Sequence, residues 1–232
     1  MVLLVEHQDN EPRFGGESHL ALSGRVSFAE LIFRLLAERS PAPRELKIFE
    51  LILNLSIDHG PETPSARATI AAAEIGRPIG WAVGAGVGQI NSQHGGAQTL
   101  CLPLLYRMSR ERVSAVEIVS EYLRLGNRLP GFGHRLYRGS DPRADLILAV
   151  LAREGLGGEF IAAARELAAE LARQTGKKLP LNVDGAIAVA FGAFGWPTAL
   201  GEAVFIIART PGLCGQYLNH SNRSIHEPPT HL

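Results

Sequence analysis

Residues 129–143 read LPGFGHRLYRGSDPR, and this stretch carries far more punctuation than a core helix tolerates. A Pro-Gly turn, two glycines around Phe132, a histidine and an Asp-Pro-Arg step make it a loop built to place side chains. Gly131 and Gly133 permit left-handed backbone angles and the close approach of another group, and His134 titrates near neutral pH. Asp141 reads as a helix N-cap with Pro142 at the first helical position, so Arg143 falls in the first turn, where a cation does nothing for the helix. The plainer alternative is a surface loop with a solvated histidine; the density of features weighs against it.

Outward from this loop the chain reads at a period near 3.6. Upstream, Ser114 and Glu117 form a capping box ahead of Val116, Val119, Tyr122 and Leu123, and Gly126 closes that helix. Downstream, RADLILAVLARE is amphipathic, and EFIAAARELAAELARQTG is a strong helix former ending at Gly176. Ser27 and Glu30 predict a second capping box, with Phe28, Leu31, Ile32, Leu35 and Leu36 facing the core. Leu46 to Leu55 is apolar on nearly every side, which predicts a central helix that delivers Asp58-His59-Gly60 at its end. Thr63 and Pro64 open a helix that runs to Gly76, and Thr198 is expected to cap a last helix reaching Arg209-Thr210-Pro211-Gly212. Residues 1–25 are aperiodic and predict an extended arm packed on the body. No stretch alternates with period two over strand length, so the fold class is all-α.

Gly80, Gly84 and Gly88 recur at four-residue spacing in the segment from Ile79 to Ile90. Each costs about 0.5–1 kcal/mol against alanine inside a helix, so close helix contact must compensate, in the core or between subunits.

Composition bounds the function. Lys plus Arg number 23 and Asp plus Glu 23, so no global field draws the chain to nucleic acid or to an anionic membrane. An anionic ligand must be held by local arginines. No apolar run approaches the roughly 20 residues that span a bilayer. The start MVLLVEHQDN carries an acid where a signal peptide needs a longer apolar core, and the cysteines, Cys101 and Cys214, lie in apolar helical surroundings. A reduced, cytoplasmic protein is expected.

Four residues stand out at element ends: His59, His94 before a double glycine, His134, and Asp184 in an otherwise apolar run. A carboxylate entering an apolar helix tends toward a raised pKa, the range of a useful base. Asp184 is alternatively a helix cap, a task for which Asn182 competes. A metal set is weakly signalled, because no two of these histidines are spaced i, i+4 and no Cys-x-x-Cys or His-Glu-x-x-His occurs. No phosphate loop of the Walker or dinucleotide type is present, so neither a metal nor a nucleotide cofactor is expected.

The blocks NLSIDHGPETPSA, QHGGA, PGFGHRLYRGSDPRA, LNVDG and ARTPG occur here in the order they have in the citrate synthase superfamily, and together they most resemble its citryl-CoA lyase branch. The resemblance includes the lyase module of ATP-citrate lyase and runs from about Asn10 to about Asn219. It implies a citrate synthase-like helical fold with a large domain (1–108 with 208–232), a smaller one (109–207) and a cleft between them. It implies cleavage of citryl-CoA to acetyl-CoA and oxaloacetate, with the CoA thioester as substrate, or the reverse. His94 would hold the thioester oxygen, Asp184 would exchange the methyl proton, and His134 would exchange a proton with the hydroxyl or carbonyl oxygen. His59, Arg143 and Arg209 would bind carboxylates, and Gly131, Phe132 and Gly133 would contact CoA. A homodimer or higher homo-oligomer is implied, with no nucleic acid or membrane partner.

Two departures bear on the branch. Citrate synthases carry a tail Arg-Pro whose arginine reaches a neighbouring subunit, and residues 224–229 here read Ser-Ile-His-Glu-Pro-Pro, with Glu227 near that place and Arg223 a few residues earlier. The chain also has the length of the lyase rather than of a synthase. The alternatives are a short citrate or 2-methylcitrate synthase, a lyase for a malyl or methylcitryl ester, and a non-catalytic CoA-binding regulatory subunit. The last has no need of His94, His134 and Asp184 together.

Overall fold

The computed structural model describes residues 6–8, 10–14, 16–134 and 137–221, so Arg223 and Glu227 lie outside the described residues. Helices dominate. The arm folds as a three-stranded antiparallel meander, β1 (Glu6–Gln8), β2 (Glu11–Phe14) and β3 (Glu17–Ser18), followed by a short helix α1 (His19–Ser23). Its strands are too short to show a two-residue alternation, which is why the sequence reads only as aperiodic. Asn10 and Gly16 turn the chain at positive φ, and Glu17 ties β3 to Arg34 at 2.7 Å.

Next come α2 (Phe28–Ala37), α3 (Pro43–Ser56), α4 (Pro64–Glu74) and α5 (Ile79–Val87). They are followed by α6 (Ala97–Ser109), α7 (Ala115–Arg124), α8 (Pro142–Arg153), α9 (Gly158–Thr175), α10 (Val183–Phe194) and α11 (Leu200–His220). Ser114 and Glu117 close a reciprocal box on α7. Ser27 caps α2, but Glu30 turns away to Arg34 at 2.7 Å, so only half of that box forms. Phe28 is exposed, and Phe33 takes its place in the core.

The enclosed helix is α10 rather than α3. On α3 the buried residues are Ile48, Phe49, Ile52 and Ser56, whereas on α10 they run almost without a break from Val183 to Phe194. Small residues make this possible: a Cβ on Gly192 would meet the Phe160 ring at 2.8 Å, and one on Gly185 would meet the Gly131 carbonyl at 2.5 Å. Helix α10 packs chiefly on α6 and α8. The main core is continuous from Ile32 to Val204.

Thr198 does not cap α11, whose N-cap is Ala199 with no side-chain bond. Nor does the helix stop at Pro211; it continues to His220. A proline inside a helix costs about 3 kcal/mol, and burial of Leu213 and Tyr217 beyond it, at roughly 1.5–3 kcal/mol per large side chain, offsets that cost. Gly212 lets α11 cross the end of α3 at backbone distance, since a Cβ there would overlap the Ile57 carbonyl. That crossing sets Arg209 beside Ser56.

The glycines of α5 divide their roles. Gly86 presses on α4 and α11, where a Cβ would overlap Thr69 and come within 2.8 Å of the Ser65 carbonyl. Gly80 and Gly84 have open space around them, and Ile79 and Trp81 beside Gly80 are exposed. Among the described residues no helix is long and apolar enough to cross a membrane.

Candidate active site

The glycine loop and the start of α10 are zipped together. Gly133 N–H donates to the Pro180 carbonyl at 2.7 Å, and Asn182 N–H donates to the Gly131 carbonyl at 2.9 Å. Asn182 also uses its side chain twice: Oδ1 accepts from Gly185 N–H at 3.1 Å as the helix cap, and Nδ2 donates to the Gly133 carbonyl at 2.9 Å. Gly131 and Gly133 sit at φ +85° and +80°. A Cβ on Gly131 would meet the Cys101 Sγ at 2.6 Å, so the loop lies directly on α6.

Because Asn182 caps α10, the Asp184 side chain is not the helix cap. The residue is half-buried while its carboxyl is densely enclosed by protein, and burial pushes it up to about 6 against the pull of Arg143. Asp141 adds to the rise and Arg209 opposes it.

Arg143 stands between the two histidines. Its Nη1 lies 3.4 Å from His59 Nδ1 and its Nη2 lies 3.3 Å from His134 Nε2, and the two imidazole rings meet edge to face at 5.6 Å. The N–H of Tyr137 donates to His134 Nδ1 at 3.2 Å, and the Tyr137 ring stacks on His134 at 4.7 Å. Both His134 nitrogens thus face donors, the Tyr137 amide at Nδ1 and the Arg143 guanidinium at Nε2. His59 is held below its ordinary value by burial, then by Arg143 and His134.

His94 is set differently. The N–H of Ser65, in the first turn of α4, donates to His94 Nε2 at 3.3 Å, and Ser65 Oγ lies 2.9 Å from the same nitrogen. An amide can only donate, so Nε2 is the acceptor and the proton resides on Nδ1. Burial, then Arg209 and His59, lower the pKa of His94, and the positive end of α4 works in the same direction. The result is a neutral imidazole with a fixed Nδ1–H donor. Gly95 must be glycine here, at φ +79° with a Cβ position overlapping the Phe205 ring.

Arg209 is 3 % exposed, with its guanidinium over Phe205 at 4.7 Å and its Nε donating to the Ser56 carbonyl at 2.9 Å. Its Nη1 is buried and finds no acceptor among the described residues. Burial disfavours its charge, while Asp58 and Asp184 favour it. A buried guanidinium with a spare donor is the arrangement that a ligand carboxylate would complete.

The fold thus brings His59, His134 and Arg143 into contact and sets Asp184, Arg209 and His94 within electrostatic reach of them. The chain matches the citrate synthase C-terminal domain over residues 6–228. It belongs to the citrate synthase family. Among solved structures it is similar to citryl-CoA lyase from Hydrogenobacter thermophilus, at 34% identity and a TM-score of 0.88 over 100% of this chain and 96% of that one. The fold is shared with ATP citrate lyase from Methanosaeta concilii in complex with (3S)-citryl-CoA, at 21% identity and a TM-score of 0.84, covering 94% of this chain and 38% of that one. Among curated proteins, the putative citrate synthase 2 of Mycobacterium tuberculosis is 32% identical over 77% of this chain and 48% of its own length. The chain therefore spans about half the length of such curated relatives.

Sequence reasoning missed three residues that pack against these side chains and this loop. Ser65 fixes the His94 tautomer, Cys101 forms the floor under Gly131, and Asp141, read only as a cap, is fully buried against Arg143. The Pro-Ser step after Thr63 was the one available signal for Ser65, since a helix start beside a histidine is a donor site.

Proposed function

We propose that this protein is a CoA-dependent carbon–carbon lyase that cleaves (3S)-citryl-CoA to acetyl-CoA and oxaloacetate. In that direction His134, in the tautomer whose Nε2 is unprotonated and accepts from the Arg143 guanidinium, takes the hydroxyl proton at Nε2, the carbonyl of oxaloacetate forms, and the bond to the acetyl carbon breaks. Its electron pair passes to the thioester oxygen as an enolate, which the Nδ1–H of His94 stabilises. Asp184, protonated, then delivers its proton to the methylene carbon and completes acetyl-CoA. Arg143, Arg209 and His59 hold the carboxylates, and the loop from Gly131 to Gly133 lies against CoA.

The single observation that carries this reading is the convergence of Asp184, raised to about 6, with a neutral His94 donor and a buried Arg209 whose Nη1 awaits an acceptor. The likeness over the full length of this chain to a lyase supports cleavage over condensation. We further propose a cleft that closes between segment 109–207 and the rest of the chain, a cytoplasmic setting, and a homodimer built on the α5 face of Gly80 and Gly84.

Curated relatives named citrate synthases support the second reading, condensation with thioester hydrolysis. Product analysis separates the two. Purified protein given citryl-CoA should yield acetyl-CoA and oxaloacetate rapidly, and given acetyl-CoA with low oxaloacetate it should release little free CoA. Rapid CoA release with citrate as product would overturn the lyase assignment.

A further inference from the structure

Asp141 makes more contacts than a helix cap needs. Its side chain is fully buried, and both oxygens are engaged. Oδ1 accepts from Arg143 N–H and Nε, each at 3.0 Å, while Oδ2 accepts from Arg143 Nη2 at 2.8 Å and from Val183 N–H at 3.1 Å. Only the first of these bonds is capping. Two others fix the Nε and Nη2 edge of the guanidinium, so Nη1 and the outer side of Nη2 face His59 and His134. The fourth crosses to the first turn of α10, one residue before Asp184.

We propose that Asp141 is a positioning residue for the reaction: one buried carboxylate clamps Arg143 between the two histidines and docks the start of α10, so that carboxylate recognition and the proton donor keep a fixed relative geometry. This rests on the lyase reading for its kinetic consequence and on the structure alone for its geometry. The geometry explains why a cation stands in the first turn of α8, where the helix dipole opposes it: the charge of Arg143 is balanced by Asp141 in a bidentate pair. Burial by itself would raise Asp141, but the hydrogen bonds and charge of Arg143, with the amide of Val183, hold it below its ordinary value. It is therefore an anion throughout the working pH range.

The charged and titratable groups facing Asp184 come from three elements: Arg143 on α8 with Asp141 at its cap, Arg209 on α11, and the neutral Cys101 thiol on α6. Asp141 is also felt by His59. Replacing Asp141 by a neutral group leaves Arg143 uncompensated beside Asp184, and both changes favour the Asp184 carboxylate.

The test uses Asp141→Asn and Asp141→Ser, because both residues remain good helix caps. Both variants are expected to lose tenfold or more in kcat/KM for citryl-CoA, and the falling alkaline limb of the cleavage profile should move to lower pH. Independently of turnover, the Asp184 carboxyl, followed by carbon NMR in ligand-free protein, should titrate at lower pH in both variants. A loss of melting temperature with an unchanged limb and an unchanged Asp184 titration would make Asp141 a mere structural cap and overturn the proposal. Should neither variant fold, wild-type protein decides: the clamp requires a slowly exchanging Arg143 Nε–H at neutral pH, and rapid exchange refutes it. Wild-type protein that does not cleave citryl-CoA sinks the lyase reading, while the Asp184 titration still judges Asp141.

Discussion

Replacement of Asp184 by asparagine should make the protein more stable and nearly inactive at the same time. Enclosure by protein raises the carboxyl from its ordinary 3.8 to about 6, a difference of about two pH units. At about 1.36 kcal/mol per pH unit, that is roughly 3 kcal/mol by which folding disfavours the charged form at neutral pH. The sign follows from linkage. A carboxyl whose folded pKa lies above its unfolded value contributes its full stability below the unfolded value, and loses it as pH rises through about 6. Asparagine has no such charge to bury, though its amide still needs partners, so the gain at pH 7.5 is reduced to about 1–3 kcal/mol. For a domain of this size that corresponds to roughly 2–10 °C in melting temperature. Turnover should fall by roughly two to four orders of magnitude, the scale of general acid–base loss. Thermal melts of both proteins from pH 4 to pH 8, alongside citryl-CoA cleavage rates, test the two halves together. The advantage of Asp184→Asn must shrink toward zero near pH 4. A variant no more stable than wild type at pH 7.5, or equally advantaged at every pH, refutes the burial argument; near wild-type turnover removes Asp184 from the mechanism.

Cleavage needs Asp184 protonated, so kcat/KM for citryl-CoA should fall as pH rises through about 6, whereas deuterium exchange into the methyl of acetyl-CoA needs the carboxylate and should rise over the same interval; parallel profiles would contradict the assigned role. His94→Ala should lower turnover by about 10²–10³, while Ser65→Ala, which keeps the tautomer-setting amide, should cost far less; steady-state kinetics compare them. Gly131→Ala should destabilise by about 2–4 kcal/mol through positive φ and collision with Cys101, whereas the same change at Gly133, with Leu179 at 3.5 Å, should cost less, as denaturant titration will measure. A Cβ at Gly84 meets nothing within 4 Å, so Gly84→Leu should leave the monomer folded yet break the proposed dimer; a monomeric wild type in sedimentation at micromolar concentration would remove the dimer.

The helices and the loop of residues 129–143 were legible because they rest on local physics. Capping by Ser114 and Asp141, the turns at Gly76, Gly126 and Gly176, and helical periodicity each involve residues a few positions apart. Four candidates, Asp184, His59, His94 and His134, stood out for a related reason, because polar groups at element ends in apolar or glycine-rich settings carry costs that local context does not offset; Arg143 and Arg209 entered as carboxylate binders only through the family resemblance.

Tertiary structure decided whatever depends on residues far apart in sequence. Leu213 and Tyr217 carry α11 through Pro211 because their burial against other helices outweighs a local breaker. Phe28, although in register with the apolar stripe of α2, faces solvent, and Phe33 packs against Phe49 and Trp196 instead. The rivalry between Asn182 and Asp184 for the cap could not be resolved from order alone; it turned on the Asn182 side chain reaching Gly133, 49 residues away, while bonding Gly185. Asp141 looked like a cap because its nearest partner is local, and its bond to Val183 across 42 residues appears only once α8 and α10 pack. Sequence by itself determined which groups are costly to place, since that cost is a property of the residue and its neighbours. Only the packed helices decided which groups meet, because burial and hydrogen bonding between distant segments set the pKa, tautomer and partner of each.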